Sequence, residues 1–363
     1  MTKPKKSNRI SIHKQIFIIK ERGEEIIMIN KYDLFSDIMQ HKSTHCGFWH
    51  GNPHPNSYEN LFKYFGVKDD FELGLKLGDT FTWVHDGWGA YKHPDGDYAF
   101  NLYKNGDTPH LREFTDDDVD LVEKLNWPDA EYYDFSNFET ARSKAKEHGV
   151  PILSGAWAPF YHVVADMFGM ENYFVKMHTD PNVVIAVTER VVDFYMAMNT
   201  KLFDKYAPDI NACFFGNDFG TQLDLMISPE MFKNFVMPYQ KKIAEQAKAY
   251  NLYTVLHSCG SVIKAIPEII AAGIDGLHPI QALAVGMDAE NLAEKFKDKI
   301  VFVGGVDTQV LLREGTAAQI KADVRRLKKL FGNNFIVSPS HEAILPDVPP
   351  ENLAAISEAV WED

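Results

Sequence analysis

From about residue 150 the chain alternates short apolar runs with amphipathic segments, and this alternation limits what it can fold into. Pro151 to Ala156, Ala212 to Gly216, Tyr253 to Leu256, Gly276 to Ile280, Ile300 to Gly305 and Asn334 to Ser338 read as buried strands. Between them lie helical stretches: Pro181 to Met198, Ser228 to about Tyr250, a short one near Ala289 to Phe296, Ala317 to Leu330 and Pro350 to Val360. Strands recur about every 25 to 40 residues, the period of βα units. Such units make a parallel sheet with right-handed crossovers. No Gly-rich dinucleotide fingerprint opens any of the helices. Polar or unusual residues stand at the ends of many strands: Trp157, Asn217, Asp218, His257, Cys259, Gln281, Asp307, Ser338 and His341. Residues from many strands converging on one face favour a closed (β/α)8 TIM barrel over an open sheet.

Residues 31–150 are a more variable part of the same domain, an N-terminal elaboration with the first barrel units. Asp79 to Val84 reads as a strand, and the stretch to about Tyr103 as a β-rich excursion. His45, His50 and His54 crowd a turn-rich segment and read as a surface turn rather than a second metal site. Residues 1–30, with a basic start, read as a tail.

The chemistry concentrates at His257-Ser258-Cys259-Gly260, where a strand meets a loop. Residues two apart on an extended segment project to one side. Imidazole and thiol are both good zinc ligands. A buried thiol beside a hydrogen-bonded histidine is the alternative reading of the pair.

Lys and Arg number 37 against 51 Asp and Glu, a net charge of −14. That opposes general binding to nucleic acid or anionic membrane, both of which need a basic face. Three cysteines suggest no disulfide framework and fit a reducing cytoplasm. No apolar stretch is long enough to span a bilayer. A Ser-His-Asp order, a Gly-x-Ser-x-Gly motif and a P-loop are all missing.

Four segments, in order, resemble the uroporphyrinogen decarboxylase superfamily. They are Gly216-Asn217-Asp218-Phe219-Gly220-Thr221-Gln222, Leu256 to Gly260, Val303-Gly304-Gly305-Val306-Asp307-Thr308-Gln309, and Ser338 to Asn352. Within it the chain is more similar to the corrinoid-dependent methyltransferase branch, which includes methylcobalamin:coenzyme M and O-demethylase methyltransferases. The resemblance covers roughly residues 150–363. It implies a (β/α)8 barrel, a zinc ion held by an H-x-C pair and a later cysteine, and methyl transfer between a small methylated substrate and a corrinoid on a partner protein. His257 and Cys259 match the pair. Where the later cysteine would fall stands Ser338-Pro339-Ser340-His341, so His341 is expected as the third ligand, with Glu342 as an extra one.

Asp218 and His341 are the expected catalytic residues, and Asn217, Gln222 and Gln281 are expected to line the cofactor pocket. Trp49, Trp83 and Trp157 are candidates for an apolar wall, with core packing as the default. A homodimer is left open. Decarboxylation of a tetrapyrrole-like acid is the runner-up. It needs guanidinium partners for the substrate carboxylates, and residues 31–100 hold no arginine. A catalytically silent barrel that only binds a ligand is the third reading.

Overall fold

A computed structural model describes residues 16–20, 26–85, 90–96, 99–102, 110–341 and 343–362. Eight parallel strands form one sheet: β1 (Gly47–Phe48), β2 (Thr82–Trp83), β3 (Ile152–Ser154), β4 (Ala212–Gly216), β5 (Tyr253–His257), β6 (Gly276–Ile280), β7 (Val301–Val306) and β8 (Phe335–Pro339). Each strand from β2 to β7 pairs with the next, and β8 pairs with β1. The remaining gap, between β1 and β2, is bridged at Thr80. Its amide donates to the Phe48 carbonyl at 2.8 Å, and its hydroxyl accepts from the Phe48 amide at 2.9 Å. The expected α/β barrel is therefore present.

Strand side chains alternate between two apolar layers, as the pleat requires. Leu153, Phe214, Val255, Val303 and Ile336 point inward with Trp49 and Phe81. Their neighbours pack outward against the helices. Helix α1 (Lys31–Met39) sends Leu34, Phe35, Ile38 and Met39 into the interior cluster. Ser36 of α1 meets the hydroxyl of Tyr253, the first residue of β5, so the helix plugs the end of the barrel where the strands begin. The opposite end, where the strands finish, is left for the loops.

Several elements differ from expectation. The helix from Ser228 to about Tyr250 is two, Pro229–Phe235 and Met237–Ala249. Pro238 lacks an amide hydrogen and starts the second helix, so the first cannot run through it. The helix from Pro181 continues past Met198 to Tyr206. The strand expected over Asp79 to Val84 shrinks to Thr82–Trp83. Among the described residues from 85 to 102 there is no strand, only a bridge between Tyr91 and Tyr133. The first barrel strand, Gly47–Phe48, lies inside the segment read as turns. Residues 1–15 of the expected tail lie outside the described residues, whereas Ile16–Lys20 and Ile26–Asn30 pair as antiparallel strands. No helix among the described residues is long and apolar enough to cross a membrane.

Candidate metal centre

Three donors from two adjacent strand ends meet at the finishing end of the barrel. His257 is the last residue of β5, Cys259 follows it, and Asp218 lies two residues beyond β4. One ligand atom from each of Asp218, His257 and Cys259 lies within 4.8 Å of the others. His257 Nε2 is 3.2 Å from Asp218 Oδ1 and 3.5 Å from Cys259 Sγ. The Cys259 amide donates to the same Asp218 oxygen at 2.8 Å.

Local sequence explains the convergence. Gly216 and His257 are register partners on neighbouring strands. A Cβ at Gly216 would sit 2.5 Å from the Cβ of His257, so only glycine lets β4 carry Asp218 this close. The loop after β5 turns at Gly260, whose φ is +84°. A Cβ there would lie 2.3 Å from the Gly220 carbonyl oxygen, so the two loops touch backbone to backbone. Gly260→Ala is expected to cost about 1–3 kcal/mol from the left-handed backbone alone, with the clash added. Urea unfolding checks this; a change below about 0.5 kcal/mol would mean the loops give way freely.

Electrostatics favour an anionic donor set. Burial by itself would raise the Asp218 carboxyl, but the hydrogen bond and charge of His257, with the Cys259 amide, hold it well below the usual carboxylate range. Asp218 is therefore ionised at neutral pH. A carboxylate, an imidazole and a thiol give the O, N and S donors that zinc accepts. Three protein ligands would leave one tetrahedral position for a reactant. The residues present fit a zinc ion.

The expected His341 is not part of this cluster; among the described residues the donors that meet are Asp218, His257 and Cys259. His341 Nδ1 accepts from the Ala343 amide at 3.1 Å, and its imidazole helps lower the basicity of the His278 ring. Glu342 lies outside the described residues. Asn217 is buried and occupied by backbone, accepting from the Tyr161 amide at 2.9 Å and donating to the Ala158 carbonyl at 3.1 Å. Gln281 accepts from the Gly260 amide at 2.6 Å and so braces the ligand loop. Gln222 is exposed. Asn217 also lines the cavity beside Asp218 and His257, while Gln281 holds the ligand loop. Asp307 accepts from the amides of Gln309, Val310 and Leu311 and orders its turn.

Sequence reasoning missed His278. It sits on β6 as the register partner of His257, fully buried, and its Nδ1 is 2.9 Å from His257 Nδ1. Burial, then the His257 and His341 imidazoles, push its basicity far below the usual histidine range. A polar residue inside the apolar run Gly276 to Ile280 was the available signal.

Asp218 and His257 open onto a cavity of about 360 Å³ with Trp157, Pro159, His162 and Asp166. Trp157 and Pro159 also line a neighbouring cavity of about 220 Å³ walled by Trp83, Phe100, Phe194 and Tyr195. The Trp157 ring stands 4.9 Å from the His257 ring and 5.1 Å from Trp83. Trp49 packs on Phe81 and His278 inside the barrel instead. No arginine lines either cavity among the described residues.

Comparison with known proteins adds three findings. A family model described as "Uroporphyrinogen decarboxylase (URO-D)" matches residues 102–362. Among curated proteins, the "Methylcobamide:CoM methyltransferase MtbA" of Methanosarcina acetivorans is 23% identical over 171 residues, 47% of each chain. A "Uroporphyrinogen decarboxylase" of Chlorobium chlorochromatii is 24% identical over 259 residues, 67% of this chain and 69% of that one. The matched stretch spans about half the length of the methyltransferase. Among solved structures, a "methyltransferase from Methanosarcina mazei" superposes with a TM-score of 0.63 at 16% identity, covering 92% of this chain and 98% of that one. At that identity the superposition speaks for the fold.

Proposed function

This chain belongs to the uroporphyrinogen decarboxylase family, and on that premise we propose that it is a zinc-dependent methyltransferase. It would move a methyl group between a small substrate and a corrinoid carried by a partner protein. The observation that carries the reading is the cluster of Asp218, His257 and Cys259 at the finishing end of the barrel. A decarboxylase of porphyrinogen acids has no evident use for a thiol, an imidazole and a carboxylate arranged around one point.

When bound, zinc supplies Lewis acidity, either acidifying a substrate thiol or polarising a leaving oxygen. The chain's own residues do the rest. His257 presents Nε2 to the site, and Asp218 stays ionised because His257 and the Cys259 amide hold its charge. Trp157 walls the cavity beside the cluster, its ring 4.9 Å from that of His257. The methylcobamide-dependent relative, by its name, supports the corrinoid as the other reactant.

The relative named as a decarboxylase keeps carbon dioxide release alive as the second reading. The arginine-free cavities weigh against it, because a polycarboxylate needs bidentate cationic partners. A silent binding barrel would have no use for a metal. Free corrinoid methylation, followed by its visible spectrum against methoxylated aromatics, methanol, methylamines and thiols, tests the reading. Methylation of the corrinoid is the expected result; stoichiometric decarboxylation of uroporphyrinogen would replace it with the runner-up.

Two single variants separate ligand from reactant contact. Asp218→Ala is expected to weaken zinc binding roughly ten- to a hundredfold or more, since even residues behind the ligands reach that range. His341→Ala is expected to keep zinc and lose turnover. The reverse pattern, read by metal analysis and rate on the same preparations, would restore His341 as the third ligand.

A further inference from the structure

His278 contributes something that packing does not require. Its ring lies 5.0 Å from His257, 5.1 Å from Trp49 and 5.4 Å from Phe214. Among the described residues its buried Nε2 has no hydrogen-bond partner, and such an orphan destabilises a core. A leucine or phenylalanine would fill the space without that loss. What neither could do is meet His257 Nδ1, which His278 Nδ1 approaches to 2.9 Å. Two ring nitrogens at that distance share one proton, one donating and the other accepting.

We propose that His278 is the positioning residue of the metal centre: it holds His257 by Nδ1, so that Nε2 alone is turned toward Asp218 and Cys259. The inference rests on the metal reading above. The geometry is set by strand register. His257 and His278 are direct partners on parallel neighbours, so their side chains leave the sheet on the same face. Metal-bound histidines generally have their second nitrogen held by a carboxylate, carbonyl or water, which fixes the ring and the tautomer. Here an imidazole from the adjacent strand takes that place, and rotation of His257 would break the contact.

The experiment compares zinc affinity, by competition with a chromophoric chelator, in wild type, His278→Leu and His278→Asn. The Asn side chain places its amide near the position of Nδ1. His278→Leu is expected to bind zinc about 10–100-fold more weakly while its thermal unfolding is unchanged or raised. His278→Asn is expected to stay within about threefold of wild type, the range of a kept hydrogen bond. Wild-type affinity in both variants would overturn the proposal and leave His278 as packing. Equal weakening in both would overturn it as well, because shape rather than the hydrogen bond would then matter. A wild type that holds no zinc would instead remove the metal reading, and this inference with it. Independently of any variant, 15N-histidine NMR of the zinc-loaded protein should show one ring proton coupled to nitrogens of two histidines. Its absence would refute the shared proton.

Discussion

Replacing Cys259 by alanine is expected to reduce zinc from about one per chain to a small fraction after dialysis. Sites of this kind bind zinc with roughly 10–16 kcal/mol shared among three or four ligands, so losing the thiolate should weaken affinity by about a hundred- to a thousandfold or more. The fold should persist. Cys259 is only partly buried, and among the described residues its Sγ meets the His257 ring alone. The loop itself is fixed by backbone, through the Cys259 amide on Asp218 and the Gly260 amide on Gln281. Metal analysis and circular dichroism on one sample decide the matter. Full zinc content in folded Cys259→Ala protein would take this cluster out of the proposed mechanism.

The second large effect is structural and lies at the seam where the barrel closes. His50 follows β1 and is buried, with Nδ1 2.6 Å from Asp79 Oδ2 and Nε2 3.2 Å from Asp70 Oδ1. Its backbone amide also donates to Asp79 at 3.0 Å. Burial alone would strip its proton, but Asp79 and then Asp70 hold the imidazolium, and its pKa rises to about 10. His50→Ala would leave Asp79 buried without its partner, and such losses cost about 3–5 kcal/mol. The pH dependence follows from the sign of the shift. A raised folded-state pKa gives stability that is complete below the unfolded value of about 6.5 and is lost as pH rises through about 10. Urea midpoints of wild type should therefore fall between pH 7 and pH 10, and those of His50→Leu with Asp79→Leu should change less over the same range. A His50→Ala penalty below about 1 kcal/mol would show that the seam does not depend on this pair.

How far the site was legible depends on the range of the interaction. The pair His257 and Cys259 lies within three residues, and strand alternation puts both on one side. The joining of Asp218 to them crosses two strands and depends on Gly216 giving β4 room beside His257. Nothing in the local pattern of Gly216 to Gln222 separates Asp218 as a ligand from Asp218 as a helix cap. His341 stands at the expected place in the sequence, but the cluster forms without it. His50 was grouped with His45 and His54 because they are close in the chain. In the fold His54 caps the short helix at Pro55–Ser57 and His45 bonds Thr44, whereas His50 turns into the seam.

The amino-acid sequence by itself determined a parallel sheet buried on both faces by helices, and the polar residues at its strand ends favoured a closed barrel. It also determined that imidazole and thiol would sit at one strand end. Only the tertiary structure decided which third group joins them, and that His278 stands behind His257. Register between neighbouring strands sets those contacts, and register is a property of paired chains rather than of either segment alone.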